Sequence, residues 1–158
     1  MINEEKNYLY AFDPGKRTGV AIFTWDGEYV SHGVRIYTDV GEYLDRIERA
    51  YVIVYEGWRT RPGGKTAGST EEASQVIGQI KNRARQLDLP QSRIIEQQPA
   101  ILPIAAKWAG FNMPKGHLPD DESAWLHGYY CLRQHGRVRT SLELRHARGR
   151  LDTKRAGH

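Results

Sequence analysis

The chain has 158 residues, 39% of them hydrophobic and 27% charged, which suits one globular domain with a full core better than a disordered chain. Its net charge of +4 is uneven: from Arg133 onward eight Lys/Arg stand against Glu143 and Asp152, so that segment carries +6 and the first 132 residues carry −2. No apolar run is long enough to span a bilayer, residues 1–6 are too polar for a secretory signal, and the single Cys131 rules out an internal disulfide; a cytoplasmic protein with a polyanionic partner is expected.

Residues 8–13, Tyr-Leu-Tyr-Ala-Phe-Asp, read as a buried strand ending on Asp13. Pro14 and Gly15 follow as a turn, because proline presets φ and glycine tolerates φ > 0. Residues 18–25 form a second strand, Asp26-Gly27 is a hairpin signal, and 28–36 returns as a third, making an antiparallel meander. Asp39 is placed to cap a helix over 39–50, in which Val40, Tyr43, Leu44 and Ile47 fall at helical spacing. Residues 51–56, Tyr-Val-Ile-Val-Tyr-Glu, form a fourth strand ending on Glu56, and a strand–helix–strand connection usually returns parallel. Residues 57–69 are a glycine-rich loop carrying Trp58, Arg59, Arg61 and Lys65 and no acid. Thr70, followed by Glu71 and Glu72, starts a helix running to residue 87, with Ala73, Val76, Ile77, Ile80 and Ala84 on one face. A short fifth strand over 91–97, a helix over 100–109, a loop over 112–119 and a last helix over 120–135 complete the order, with Cys131 a core residue of that helix. This order predicts the α/β class: a mixed five-stranded sheet, three strands antiparallel and then two parallel, with helices on both faces. The domain is expected to span 1–136, followed by a basic tail over 137–158.

Asp13 and Glu56 each close an apolar strand, and α/β sheets hold ligands just outside the carboxyl ends of their strands. If those strands pair in parallel, at the usual spacing of about 4.8 Å, the two carboxylates converge closely enough to share a divalent cation. A charge ending a buried strand must be exposed, paired or metal-bound, since burying it bare is too costly. A third acidic element, Asp120-Asp121-Glu122, opens the last helix; by itself it is ordinary capping of a helix dipole. Trp125, Gly128 and Leu132 make an apolar stripe on that helix, and Asp121 lies in register with it. On the same wheel Asp120 sits further round and Glu122 points toward solvent. Oxygen donors of this kind suit Mg2+ or Mn2+. Two such ions about 3.5–4 Å apart activate water and stabilise the leaving oxygen of a phosphodiester. Beside the acids, Arg59, Arg61 and Lys65 suit phosphate contacts, and Trp58 suits stacking on a base at a branch point. His117 and His127 are candidates for proton transfer or support of the site, although His127 falls on a polar stripe with Ser123 and Gln134. Trp108, Trp125 and the tyrosines are expected in the core or in subunit contacts.

In order and spacing, these motifs resemble the RuvC-like Holliday junction resolvases of the ribonuclease H-like fold. Residues 12–21, Phe-Asp-Pro-Gly-Lys-Arg-Thr-Gly-Val-Ala, are similar to the first-strand motif, and 52–56 to the strand ending on the second catalytic acid. Residues 74–80 resemble the next helix, where a glycine, here Gly78, permits close packing, and 117–124 resemble the acid cluster of the last helix. The resemblance covers 8–135 and implies a metal-dependent endonuclease, usually a homodimer, that cuts branched DNA such as four-way junctions with Mg2+ or Mn2+. It implies Asp13 and Glu56 as catalytic metal ligands. Asp120 matches the third acid by its distance from His117, whereas Asp121 matches it by the helical wheel. Three residues beyond Asp120, where the family often has another ligand, this chain has Ser123, which leaves Asp121 or Glu122 for that role. Lys107 lies in a segment, 99–110, resembling the region with a catalytic-side lysine, and so is implied to stabilise charge on the scissile phosphate. Alternatives on the same fold are a non-catalytic branched-DNA-binding or regulatory protein and a ribonuclease H or flap-type nuclease. Asp-x-Gly followed by Thr-Gly is also similar to the phosphate loop of actin-like ATPases, but the chain is too short for their two-domain clamp.

Overall fold

In the computed structural model, which describes residues 7–57 and 67–138, strand β1 (Tyr8–Asp13) is the middle strand of a five-stranded sheet. It pairs antiparallel with β2 (Arg17–Thr24), which pairs antiparallel with β3 (Tyr29–Ile36). On its other side β1 pairs parallel with β4 (Val52–Glu56), which pairs parallel with β5 (Ile94–Gln97). The order is therefore β3-β2-β1-β4-β5. Helices α1 (Tyr37–Asp45) and α2 (Ala67–Gln86) flank β4 in the chain, and α3 (Leu102–Ala109) and α4 (Asp120–Gln134) follow the sheet.

A central strand covered on both faces reads as an unbroken apolar run, and Tyr8 through Phe12 are all buried. Their alternation sorts the core into two layers. Leu9 and Ala11 join Ala21, Phe23, Val54 and the inward faces of α3 and α4. Tyr8, Tyr10 and Phe12 join Val20, Ile53, Tyr55 and the apolar stripes of α1 and α2. The large side chains so enclosed each contribute about 1.5–3 kcal/mol of burial. Helices thus cover both faces, as the order of elements predicts. Cys131 belongs to the first layer, and burial pushes its thiol up to about 12, so it is an inert core residue.

Several boundaries differ from expectation for identifiable reasons. Helix α1 begins at Tyr37 without a side-chain cap, and Asp39 lies within its first turn. It ends at Asp45, where Arg83 of α2 reaches back to the carbonyls of Asp45 and Ile47 and satisfies acceptors that the helix leaves unpaired. Helix α2 begins at Ala67, so Thr70 is inside it. Gly78 does not serve close packing: a Cβ there would meet nothing within 4 Å. Gly128 does, since a Cβ would fall 2.5 Å from the Phe23 ring and 3.2 Å from the Cβ of Ala11, which lets α4 lie flat on β1 and β2.

At the end of the sheet where β1 begins, a stack braces the last described residues. Arg137 lies over Trp25 at 5.0 Å, Trp25 meets Tyr51 at 5.3 Å, and Arg93 covers Tyr51 at 3.9 Å. Val138 is buried in the same core layer as α4, next to Gly27 of the β2–β3 hairpin. No helix among the described residues is long and apolar enough to cross a membrane.

Candidate active site

The site is built at the opposite end of the sheet. Phe12 and Tyr55 are register partners in the parallel β1–β4 pair, so Asp13 and Glu56 follow them at the same level of the carboxyl edge. On the other side Asp13 stands opposite Gly19 of β2. A Cβ on Gly19 would lie 1.8 Å from the carbonyl oxygen of Asp120. The missing side chain therefore lets the first turn of α4 descend onto the sheet beside Asp13. That helix is entered from Pro119 without a side-chain cap, and its first turn carries three acids, the charge its dipole favours.

The carboxyl of Asp13 is pushed up to about 8, first by burial and then by the charge of Glu56, with Asp120 adding to it. The hydroxyl of Ser123, buried beside it on α4, works in the opposite direction. Asp120 is also raised, chiefly by burial, and is countered by His117 and Arg17. The Nε2 of His117 lies 3.6 Å from Oδ1 of Asp120, and the Nε of Arg17 lies 4.0 Å from its Oδ2. Glu56, only 7% exposed, is held from behind. His127 is fully buried, with Nε2 at 2.7 Å from Oε2 of Glu56 and Nδ1 at 2.8 Å from Oε1 of Gln97 at the end of β5. Both imidazole nitrogens thus face acceptors.

Asp121 points elsewhere. Its Oδ2 lies 3.1 Å from Nε2 of His32 on β3, and the Tyr29 hydroxyl donates to the Nδ1 of the same ring. The phenol of Tyr29 is pushed up to about 12 by burial and then by the charge of Asp121, against a hydrogen bond from the His32 backbone N–H.

Two expectations from the helical wheel are corrected here. Glu122 is buried rather than turned to solvent, and the polar stripe of Ser123 and His127 faces inward, toward the ends of β1 and β4. The reason is that α4 is covered nearly all round, residues 122–129 being buried throughout. Lys107 sits exposed on the last turn of α3, in the helix layer shared with α4. Trp58, Arg59, Arg61 and Lys65 lie outside the described residues. Sequence reasoning did not single out Lys16, Arg17, His32 or Gln97. The first two were discoverable as cations in the turn directly after Asp13. The other two carry no local signal, because their relation to the acids arises only from strand pairing.

Among the described residues, no three His, Cys, Asp or Glu side chains already stand close enough together to hold one ion. The donor chemistry nonetheless fits a hard divalent cation. Asp13, Glu56 and Asp120 are oxygen donors; burial first, and then the charges of Glu56 and Asp120, disfavour the ionised form of Asp13, and a cation would offset that cost.

The strand order, the parallel β1–β4 pair and the last helix laid across β1 can be compared with solved structures. The fold is that of RuvC. Thermus thermophilus RuvC in complex with a Holliday junction substrate aligns at a TM-score of 0.54 with 9% identity, over 82% of this chain and 96% of that one. A second structure of Thermus thermophilus RuvC aligns at 0.52 with 10% identity and the same coverage of each chain. At such identity the likeness to RuvC is one of fold: the ribonuclease H-like mixed sheet that the sequence motifs implied. No family model and no curated protein matches the chain.

Proposed function

We propose that this protein is a divalent-metal-dependent, structure-selective endodeoxyribonuclease acting on four-way junctions or other branched DNA. The observation that carries this reading is the convergence of Asp13 and Glu56 on adjacent parallel strands, with Asp120 brought down beside them by α4. The shared fold with a RuvC bound to a Holliday junction supports DNA as the partner. Mg2+ or Mn2+, when bound, supplies a Lewis acid that activates water and stabilises the leaving oxygen. Asp13, which feels the charge of both other acids, would hold the metal together with Glu56 and Asp120. His127 and Gln97 hold Glu56 in one orientation. Lys16 and Arg17, together with Arg59, Arg61 and Lys65, hold the phosphate backbone, and Trp58 stacks at the branch. Lys107 approaches the scissile phosphate and stabilises its charge. The proposed working unit is a cytoplasmic homodimer, because resolving a junction takes two such sites on opposed strands.

Incubating a labelled synthetic four-way junction with Mg2+ or Mn2+ tests the reading. The wild-type protein should cut it. Asp13→Asn should lose cleavage by more than about a hundredfold while still shifting the junction in a gel. Full activity in that variant would sink the assignment. Competition with flap and RNA–DNA hybrid substrates separates a junction resolvase from its nuclease alternatives.

One observation favours a second reading. Glu56 is already engaged by His127, which suits a protein that binds branched DNA without cutting it. Junction binding without cleavage across a full metal titration would select that reading.

A further inference from the structure

We propose that Asp121 is a positioning residue rather than a metal ligand: a Tyr29–His32–Asp121 clamp fixes the rotation of α4 and so presents Asp120 to Asp13. The statement about Asp120 rests on the nuclease reading; the clamp itself does not.

The argument starts from strand register. His32 on β3 stands opposite Ala21 on β2, and directly opposed residues share a face of the sheet. Ala21 belongs to the core layer under α4, so the His32 ring lies on the side where α4 packs. Its side chain is 3% exposed and that of Asp121 is 13% exposed. A carboxylate so enclosed needs a polar partner, and the imidazole supplies one at 3.1 Å. The ring is fixed in turn, because its other nitrogen takes the hydroxyl of Tyr29. A three-member chain of this kind leaves the Asp121 oxygen little freedom to turn toward the sheet edge.

Helix geometry supplies the second step. Successive residues on an α-helix are rotated by about 100°. Carboxylates at 120 and 121 therefore leave the helix in different directions. With Asp121 tied to the edge strand β3, Asp120 leaves the helix on a different side, its backbone resting over Gly19, which stands opposite Asp13 of β1, while His127 of the same helix reaches Glu56. Gly19 fixes the height of this turn above the sheet, and the clamp fixes its rotation. The adjacent acids thus divide two tasks.

A melting cycle and a metal titration on the full chain test this. Asp121→Ala and His32→Ala should each lower Tm by about 3–8 °C, the effect of one lost buried polar contact in a protein of this size. The double variant should fall no further than the worse single one, and Asp121→Asn, which keeps an oxygen for His32, should recover most of the loss. In calorimetric titration with Mn2+, Asp120→Asn should weaken binding by more than about a hundredfold, whereas Asp121→Asn should weaken it by less than about tenfold. Cleavage should fall in the same order. Fully additive alanine losses would overturn the clamp, and so would an Asp121→Asn variant that loses Mn2+ as completely as Asp120→Asn. If the wild-type protein neither takes up Mn2+ nor cuts a junction, the nuclease reading fails, and the melting cycle still decides the clamp.

Discussion

Asp13 concentrates the electrostatic cost of this fold in one side chain. Burial and then Glu56 disfavour its charge and push its carboxyl up to about 8 in the folded chain, from an ordinary 3.8. Between those values the folded protein holds a proton that the unfolded chain releases. The stability this group contributes is therefore present at low pH, declines as pH rises through the window, and is absent above about 8. Melting curves of chelator-treated protein should show Tm falling from pH 5 to pH 8 in the wild type and a flatter course in Asp13→Asn, which should be the more stable of the two at pH 8. Adding Mn2+ at that pH should raise the wild-type Tm and leave the variant nearly unchanged. Parallel curves for the two proteins would refute the assignment of the proton to Asp13. Asp13 and Glu56 were legible in the sequence because a charge that ends an apolar strand is conspicuous. His127 was legible as a candidate for supporting the site, but its inward orientation was not, because a helical wheel ranks positions by their distance from an apolar stripe. In a helix buried nearly all round, that stripe does not separate inside from outside.

At the level of elements, glycines show where packing is tight and where it is open. Gly78→Ala, in an exposed stretch of α2, should stabilise the protein by about 0.5–1 kcal/mol by restricting the unfolded chain. Gly19→Ala should cost about 3 kcal/mol or more, because its Cβ would occupy the place of the Asp120 carbonyl and push α4 off the sheet. Urea melts of the two variants should move in opposite directions. The strands and most helices could be read from periodicity, since each buries a regular face. Helix ends could not. Helix α1 stops where Arg83, 36 residues beyond Ile47, covers its last carbonyls, and no local pattern near Asp45 announces that contact. The close approach of α4 to β2 was equally hidden, because Gly19 reads as an ordinary residue entering a strand.

Taken whole, the molecule has two chemically different ends. The acids crowd the carboxyl edge of β1 and β4, while the Trp25–Tyr51 brace and the burial of Val138 close the other end. Residues 139–158 carry six Lys/Arg and two acids and follow directly from that brace. A chain ending at Val138 should therefore keep its fold and its acids. It should bind a four-way junction more weakly, with the slope of log Kd against log salt reduced by as much as about 5. An unchanged slope would show that the basic segment does not touch DNA. The six residues of β1 put about 20 Å between the two ends of the sheet. A surface tether joined at Val138 would accordingly hold each molecule with Asp13 and Glu56 facing open solution. A fluorophore fixed at the same point would report DNA arriving at the acid edge through energy transfer, without standing in its way.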